Sequence, residues 1–80
     1  MKKEDFFNSI QEVLEIDEAI AISESTDLKN TQHFEFDSIA IMTLVALIHD
    51  KFNRKLTAVQ INSITTVKSL MELIGLEHFT

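Results

Sequence analysis

Residues 37–52 read DSIAIMTLVALIHDKF and contain the clearest periodic pattern in the chain. Apolar side chains recur there at intervals of three and four, which predicts a helix over about 38–53 with one buried stripe. That stripe consists of Ile41, Leu44, Val45, Ile48 and Phe52. Asp37 is the predicted N-cap, because its carboxylate can accept a hydrogen bond from a backbone N–H of the first turn.

Two segments precede this helix. Apolar residues from Phe6 to Leu14 fall at helical intervals and predict a first helix over roughly 3–15, with Phe6 and Phe7 in the core or at its edge. Residues 16–37 have no sustained period, and a connection of that length is long for a compact domain. We expect the connection to be held against the helices by apolar anchors, which are Ile20, Ile22, Leu28 and Phe34.

Two shorter elements follow. Thr57 and Gln60 have the spacing of a capping box, which predicts one or two helical turns to about residue 62. Thr65 or Thr66 is the predicted cap of a last helix, and Gly75 is its predicted C-terminal stop. The chain is therefore predicted to be a small all-α four-helix bundle, with three longer helices, one short helix and a long first loop.

Composition limits the possible functions. The 80 residues are enough for one domain, 1–80, and the absence of cysteine excludes disulfides, thiolate metal sites and cysteine catalysis. A formal charge of −6 argues against nucleic-acid binding, since such a chain repels phosphate backbones. No apolar run approaches the roughly 20 residues of a membrane span. We expect a cytoplasmic monomer.

Ser38 is the candidate modification site. A hydroxyl at the first residue of a helix lies where the helix dipole favours a phosphate ester. Asp-Ser before an apolar residue is nevertheless a weak signal by itself, because serine is common at helix starts for purely structural reasons. The surrounding sequence is more specific, since residues 64–67 read ITTV and open the last predicted helix.

Together, Asp37-Ser38-Ile39, Phe52 and residues 64–67 resemble the acyl carrier protein family. In that family an Asp-Ser-Leu motif starts the second helix, and an Ile-Thr-Thr-Val segment commonly leads into the fourth. The resemblance covers nearly the whole chain, from the first amphipathic helix to the last one. It departs from the family immediately before the motif, where Glu35 and Phe36 replace a common glycine.

The resemblance implies a function for two residues. Ser38 matches the serine to which a phosphopantetheinyl transferase attaches 4′-phosphopantetheine from coenzyme A. The thiol of that arm holds acyl or aminoacyl groups as thioesters for loading and transferring enzymes, in fatty-acid synthesis or in a specialised lipid or secondary-metabolite pathway. Asp37 matches the motif acid, which is implied to contribute to transferase recognition. The chain itself is then not an enzyme and has no catalytic residue.

The face of the second helix opposite its core stripe is the candidate docking surface for these enzymes. It holds Ile39, Met42, Thr43, Ala46 and Asp50. Burial under the loop or the short third helix is the other explanation of its apolar members. Fatty-acid carriers typically spread acids along this helix, whereas this one has few, so we expect partners from a dedicated pathway.

Other functions have weaker support. His33, His49 and His78 lack metal-ligand spacing, so no metal site is expected. Ser38, His49 and Asp50 do not form a hydrolytic triad, because eleven residues of helix separate the first two by roughly 16 Å. The alternative to a carrier is an unmodified helical module that binds a partner through Ile39 and Met42.

Overall fold

The structure of the protein is a computed structural model that describes residues 1–31 and 35–80. The α-helices in these ranges are α1 Lys3–Val13, α2 Ser38–Phe52, α3 Ala58–Asn62 and α4 Val67–Ile74. A 3₁₀ helix, Leu76–His78, follows them and was not predicted. Three longer α-helices and one short one confirm the predicted all-α bundle.

The first helix ends earlier than predicted, at Val13 and not at about residue 15. Glu15 adopts a left-handed conformation with φ of 54°, and its N–H donates to the Glu12 carbonyl at 3.2 Å. The next N–H, that of Ile16, donates to the Gln11 carbonyl at 2.9 Å. This pair of bonds is a Schellman motif, which usually has glycine at the left-handed position. Because glutamate occupies this position instead of glycine, the sequence does not indicate where the helix ends.

The long connection is held against the helices, as predicted. Leu28 is fully buried, while Ile20 and Ile22 are half-buried against the core. The anchor Phe34 and the histidine at position 33 lie outside the described residues. Backbone bonds also join the connection to the start of α4: the Leu28 N–H donates to the Thr65 carbonyl at 2.8 Å.

Side-chain caps define the last two α-helices. Thr57 and Gln60 form the predicted capping box of α3, with the Gln60 N–H donating to the Thr57 hydroxyl at 3.1 Å. Thr66, and not Thr65, is the N-cap of α4. Gly75 follows α4 directly with φ of 116°, a backbone conformation that favours glycine.

The core lies between the helices and is closed at one end by aromatic rings. From the α2 stripe, Leu44 and Ile48 are fully buried, and the other predicted members are half-buried against the core. The ring centroid of Phe6 lies 5.0 Å from that of Phe79 and 5.7 Å from that of Phe52. The C-terminal residues therefore complete a core that begins in α1. None of the helices described is long and apolar enough to cross a membrane.

Candidate functional site

Ser38 is the first residue of α2, and the residue is exposed. The preceding residue, Asp37, has extended backbone geometry and caps the helix. Its Oδ1 atom accepts a hydrogen bond from the Ala40 N–H at 2.9 Å, and its carbonyl oxygen accepts one from the Ile41 N–H at 3.0 Å. The predicted cap is confirmed, and it fixes the register in which Ser38 begins the helix.

This position favours a negatively charged substituent on the serine. The first turn of a helix presents backbone N–H groups and the positive end of the helix dipole. α2 has 15 residues and no acidic residue in its first turn. A phosphate ester on the Ser38 hydroxyl would therefore lie in a favourable field and remain accessible to solvent.

Two shallow grooves lie beside Ser38. The first, which we call the α2 groove, has a volume of about 460 Å³ and is lined by Ser38, Ile39, Met42, Thr43 and Ala46. Ile39 is 75% exposed and Met42 is 57% exposed, so neither is covered by the loop or by α3. Burial, the alternative explanation for these two apolar residues, is therefore excluded.

The second groove, which we call the α2–α3 groove, lies between the start of α2 and the short helix. It has a volume of about 400 Å³, and its apolar lining includes Phe36, Ile41 and Val59. Val59 is 81% exposed, the largest exposed fraction among the large apolar side chains described. The sequence did not single out Val59, because a helix of five residues is too short for its spacing to show which side chains point outward.

The grooves assemble most of the predicted docking residues, with one exception. Ile39, Met42, Thr43 and Ala46 share the α2 groove with Ser38. Asp50 lies in a neighbouring groove, together with Thr43, Ala46 and Lys51 among others. The Lys51 ammonium is 4.0 Å from the Asp50 carboxylate, so this acid stands beside a cation at the far end of α2.

The sequence raised two other polar candidates, a histidine metal site and a hydrolytic triad. Within residues 1–31 and 35–80, no group of three or more His, Cys, Asp or Glu side chains could hold a metal ion. His49 is exposed near the far end of α2, whereas the ring of His78 stands edge-on to that of Phe52. Because Ser38 and His49 lie on one continuous helix, their separation of roughly 16 Å excludes direct hydrogen bonding.

The comparisons with known proteins identify a family. A family model described as the phosphopantetheine attachment site matches residues 4–74. Comparison with curated proteins gave no match, and comparison with solved structures gave none either. Members of the matching family carry covalently attached 4′-phosphopantetheine.

The residues around Ser38 fit such a group. Ser38 is an exposed residue at the positive end of a helix dipole, and it lines both the α2 groove and the α2–α3 groove. Ser38 and the first turn of α2 would hold the phosphate ester, and the groove walls would meet the pantetheine arm. The family match spans most of the chain, and the four helices of the structure agree with the helical bundle that the resemblance implies. The protein therefore belongs to the phosphopantetheine attachment site family of carrier domains.

Proposed function

We propose that 4′-phosphopantetheine is attached to Ser38 and that the chain works as an acyl or aminoacyl carrier. In the attachment step, the Ser38 oxygen forms an ester bond to the phosphorus that bears the pantetheine arm of coenzyme A. The bond from that phosphorus to the bridging oxygen of the diphosphate breaks, and adenosine bisphosphate leaves with that oxygen. The serine proton passes to a base of the transferase.

One observation carries this proposal: an exposed serine begins the longest helix, directly after a capping aspartate, inside the region that matches the family. Exposure matters because a transferase must reach the hydroxyl oxygen. The cap matters because it fixes the start of the helix and so holds the hydroxyl oxygen at a defined position. Functional groups are positioned more precisely on a rigid helix than on a loop.

The chain's own residues position the arm and perform no chemistry in this proposal. When bound, the group supplies a terminal thiol that holds an acyl or aminoacyl group as a thioester. Ser38 and Asp37 fix where the arm leaves the protein, and tethering raises the local concentration of the cargo for successive enzymes. We propose on this basis that the protein is not an enzyme.

The docking surface for partner enzymes is the exposed face of α2. Ile39, Met42, Thr43 and Ala46 line the groove that adjoins Ser38, which supports this assignment. Asp50, which lies further along α2, marks the far edge of the surface. Exposed apolar clusters of this kind often mark partner sites, and methionine suits adaptable contacts.

We assign the carrier to a dedicated lipid or secondary-metabolite pathway and not to general fatty-acid synthesis. α2 has no acid between Ser38 and His49, whereas partners of fatty-acid carriers use Lys and Arg patches to pair with acids there. Measured loading and elongation by a bacterial-type fatty-acid synthase should therefore be much slower than with that synthase's own carrier. Equal rates would contradict the assignment.

Residues 1–80 form a single carrier domain in this proposal, because Phe6 near one end packs against Phe79 near the other. We also propose that the protein is a monomer and works in the cytoplasm, where coenzyme A is available to the transferase. Size-exclusion chromatography with light scattering tests the oligomeric state, and a dimer would contradict it.

Co-expression with a phosphopantetheinyl transferase, followed by intact-mass measurement, tests the main proposal. We expect a mass gain of one phosphopantetheinyl group, which Ser38→Ala abolishes. Ser25→Ala is the matched control, because Ser25 is also exposed but lies in the loop, and this variant should gain the full mass. Circular dichroism of Ser38→Ala verifies that it is folded. No gain with several transferases would favour the unmodified interaction module.

A further inference from the structure

The short helix α3 forms one wall of the α2–α3 groove. Ala58, Val59 and Asn62 line that wall, and Ser38 lines the groove from α2. Within α3 only Ile61 is buried. A helix of five residues with one buried side chain opens locally more easily than a long helix, so contacts at its ends contribute strongly to its position.

A lysine of the long connection holds the C-terminal end of α3. The Lys29 ammonium donates a hydrogen bond to the carbonyl oxygen of Asn62, the last residue of this helix. Carbonyl groups at a helix end lack partners within the helix, and a cation there complements the helix dipole. The buried side chains of Leu56 and Ile64 hold the chain before and after α3, and Lys29 adds a direct bond to the helix itself.

The part of the connection that carries Lys29 is fixed at points other than α3. The Lys29 N–H donates to the Asp27 carboxylate at 2.8 Å, and the side chain of Leu28 is fully buried. A backbone hydrogen bond joins the same segment to the start of α4, where the Val67 N–H donates to the Thr26 carbonyl at 3.0 Å. The Lys29 ammonium therefore connects α3 to a segment with anchors of its own.

We propose that Lys29 is a positioning residue that holds α3 in place and so sets the width of the α2–α3 groove beside Ser38. It acts through Asn62, which accepts the hydrogen bond and also lines the groove. The consequence for the pantetheine arm rests on the proposed attachment to Ser38, whereas the effect on α3 does not. Loss of the Lys29 bond should let α3 move away from α2 and reduce its contact with the arm.

Amide hydrogen exchange of the apo protein tests the bond without the arm. Lys29→Met removes the ammonium but keeps an unbranched side chain, and Lys29→Arg restores a cationic donor. Nuclear magnetic resonance measures exchange at the Ile61 N–H, which donates to the Thr57 carbonyl at 3.0 Å, and at the Leu70 N–H, which donates to the Thr66 carbonyl in α4. We expect exchange at Ile61 to become about threefold faster in Lys29→Met and to return to the wild-type rate in Lys29→Arg, with Leu70 unchanged in both.

Lys3→Met is the matched control. Lys3 also contacts the connection, through an ion pair with the Glu24 carboxylate at 3.1 Å, but it belongs to α1. This variant should leave exchange at Ile61 within about twofold of wild type. Unchanged exchange at Ile61 in Lys29→Met, equal acceleration at Ile61 and Leu70, or the same acceleration in Lys3→Met would overturn the role of Lys29.

The holo protein tests the consequence for the arm. Nuclear Overhauser effects between the methyl groups of Val59 and the geminal methyl groups of the pantetheine arm report contact across the groove. This contact should weaken in Lys29→Met and return in Lys29→Arg. Equal contact in wild type and Lys29→Met, or no contact in wild type, would overturn the effect on the groove. Failure of the wild-type chain to accept the arm would overturn the proposed function, whereas exchange in the apo protein would still decide whether Lys29 holds α3.

Discussion

The carboxylate of Asp37 accepts a hydrogen bond from the Ala40 N–H at 2.9 Å and so caps α2 directly before its first residue, the exposed Ser38. The resemblance to carrier proteins gives the same aspartate a part in transferase recognition. One side chain therefore has two roles, a structural role through one carboxylate oxygen and a proposed recognition role through its charge. Substitutions can separate them.

Replacement of Asp37 should have different effects on stability according to the new side chain. Asp37→Ala removes the cap and should lower the free energy of unfolding by about 1 kcal/mol. Asp37→Asn keeps an oxygen acceptor, and we expect a change of only a few tenths of a kcal/mol. Urea denaturation measures both values, and equal stabilities for the two variants would contradict the capping role.

The same pair of variants tests recognition. Asp37→Asn should be modified by the transferase more slowly than wild type although its stability is nearly the same, because it lacks the negative charge. A wild-type rate for Asp37→Asn would limit Asp37 to its structural role.

Much of the fold could be predicted because local signals and tertiary packing agree. The stripe of α2 and the capping residues Asp37 and Thr57 each predicted an element that the structure confirms. Helical period placed Ile39 and Met42 away from the stripe but left open whether the loop or α3 covers them, and the structure shows that both are exposed. These features depend on residues close in sequence, whose spacing reports directly on geometry.

Features that depend on distant contacts could not be predicted. Phe79 is buried because it meets Phe6 and Phe52 in space, and no local pattern indicates this. Val59 reaches the groove beside Ser38 only through the packing of α3 against α2. The end of α1 was misplaced for a different reason, since Glu15 occupies a position where glycine is the usual signal.

Leu28 should be the most sensitive position of the long connection. Its side chain is fully buried, so Leu28→Ala should lower the free energy of unfolding by about 2–5 kcal/mol through lost burial and a residual cavity. Leu76→Ala is the control, because Leu76 is 50% exposed and should change stability by less than about 1 kcal/mol. Denaturant titration of both proteins provides the comparison, and similar losses would show that the connection does not contribute to the core.

The left-handed residue at the end of α1 offers a stabilising substitution. Glu15 has φ of 54°, and Glu15→Gly should raise the free energy of unfolding by about 1 kcal/mol by relieving this conformation. Glu15→Gln removes the same charge but keeps the side chain, and it should show no such gain. Thermal melting distinguishes the two, and a gain in Glu15→Gln as large as that of the glycine variant would point to charge repulsion instead.

Asp27 should contribute to acid sensitivity. The backbone N–H groups of Asn30 and Lys29 donate to its carboxylate, each at 2.8 Å, and these bonds hold the pKa of Asp27 below its ordinary value of 3.8. Because the folded pKa is lowered, the stabilisation is present above pH 3.8 and is lost as the pH falls through the folded value.

A nuclear magnetic resonance titration of the Asp27 carboxyl carbon should give a midpoint below 3.8. Asp27→Asn keeps an acceptor oxygen but does not titrate, so the stability of this variant should fall less steeply with acid. An unshifted Asp27 midpoint, or the same acid dependence in both proteins, would contradict the two backbone hydrogen bonds.

The most direct test of the carrier function is to locate the arm on the chain. Protein co-expressed with a phosphopantetheinyl transferase is digested, and tandem mass spectrometry finds the modified residue. We predict that the phosphopantetheinyl group is on Ser38 and on no other hydroxyl. A chain that remains unmodified with several transferases, or an arm attached to a different serine or threonine, would contradict the account.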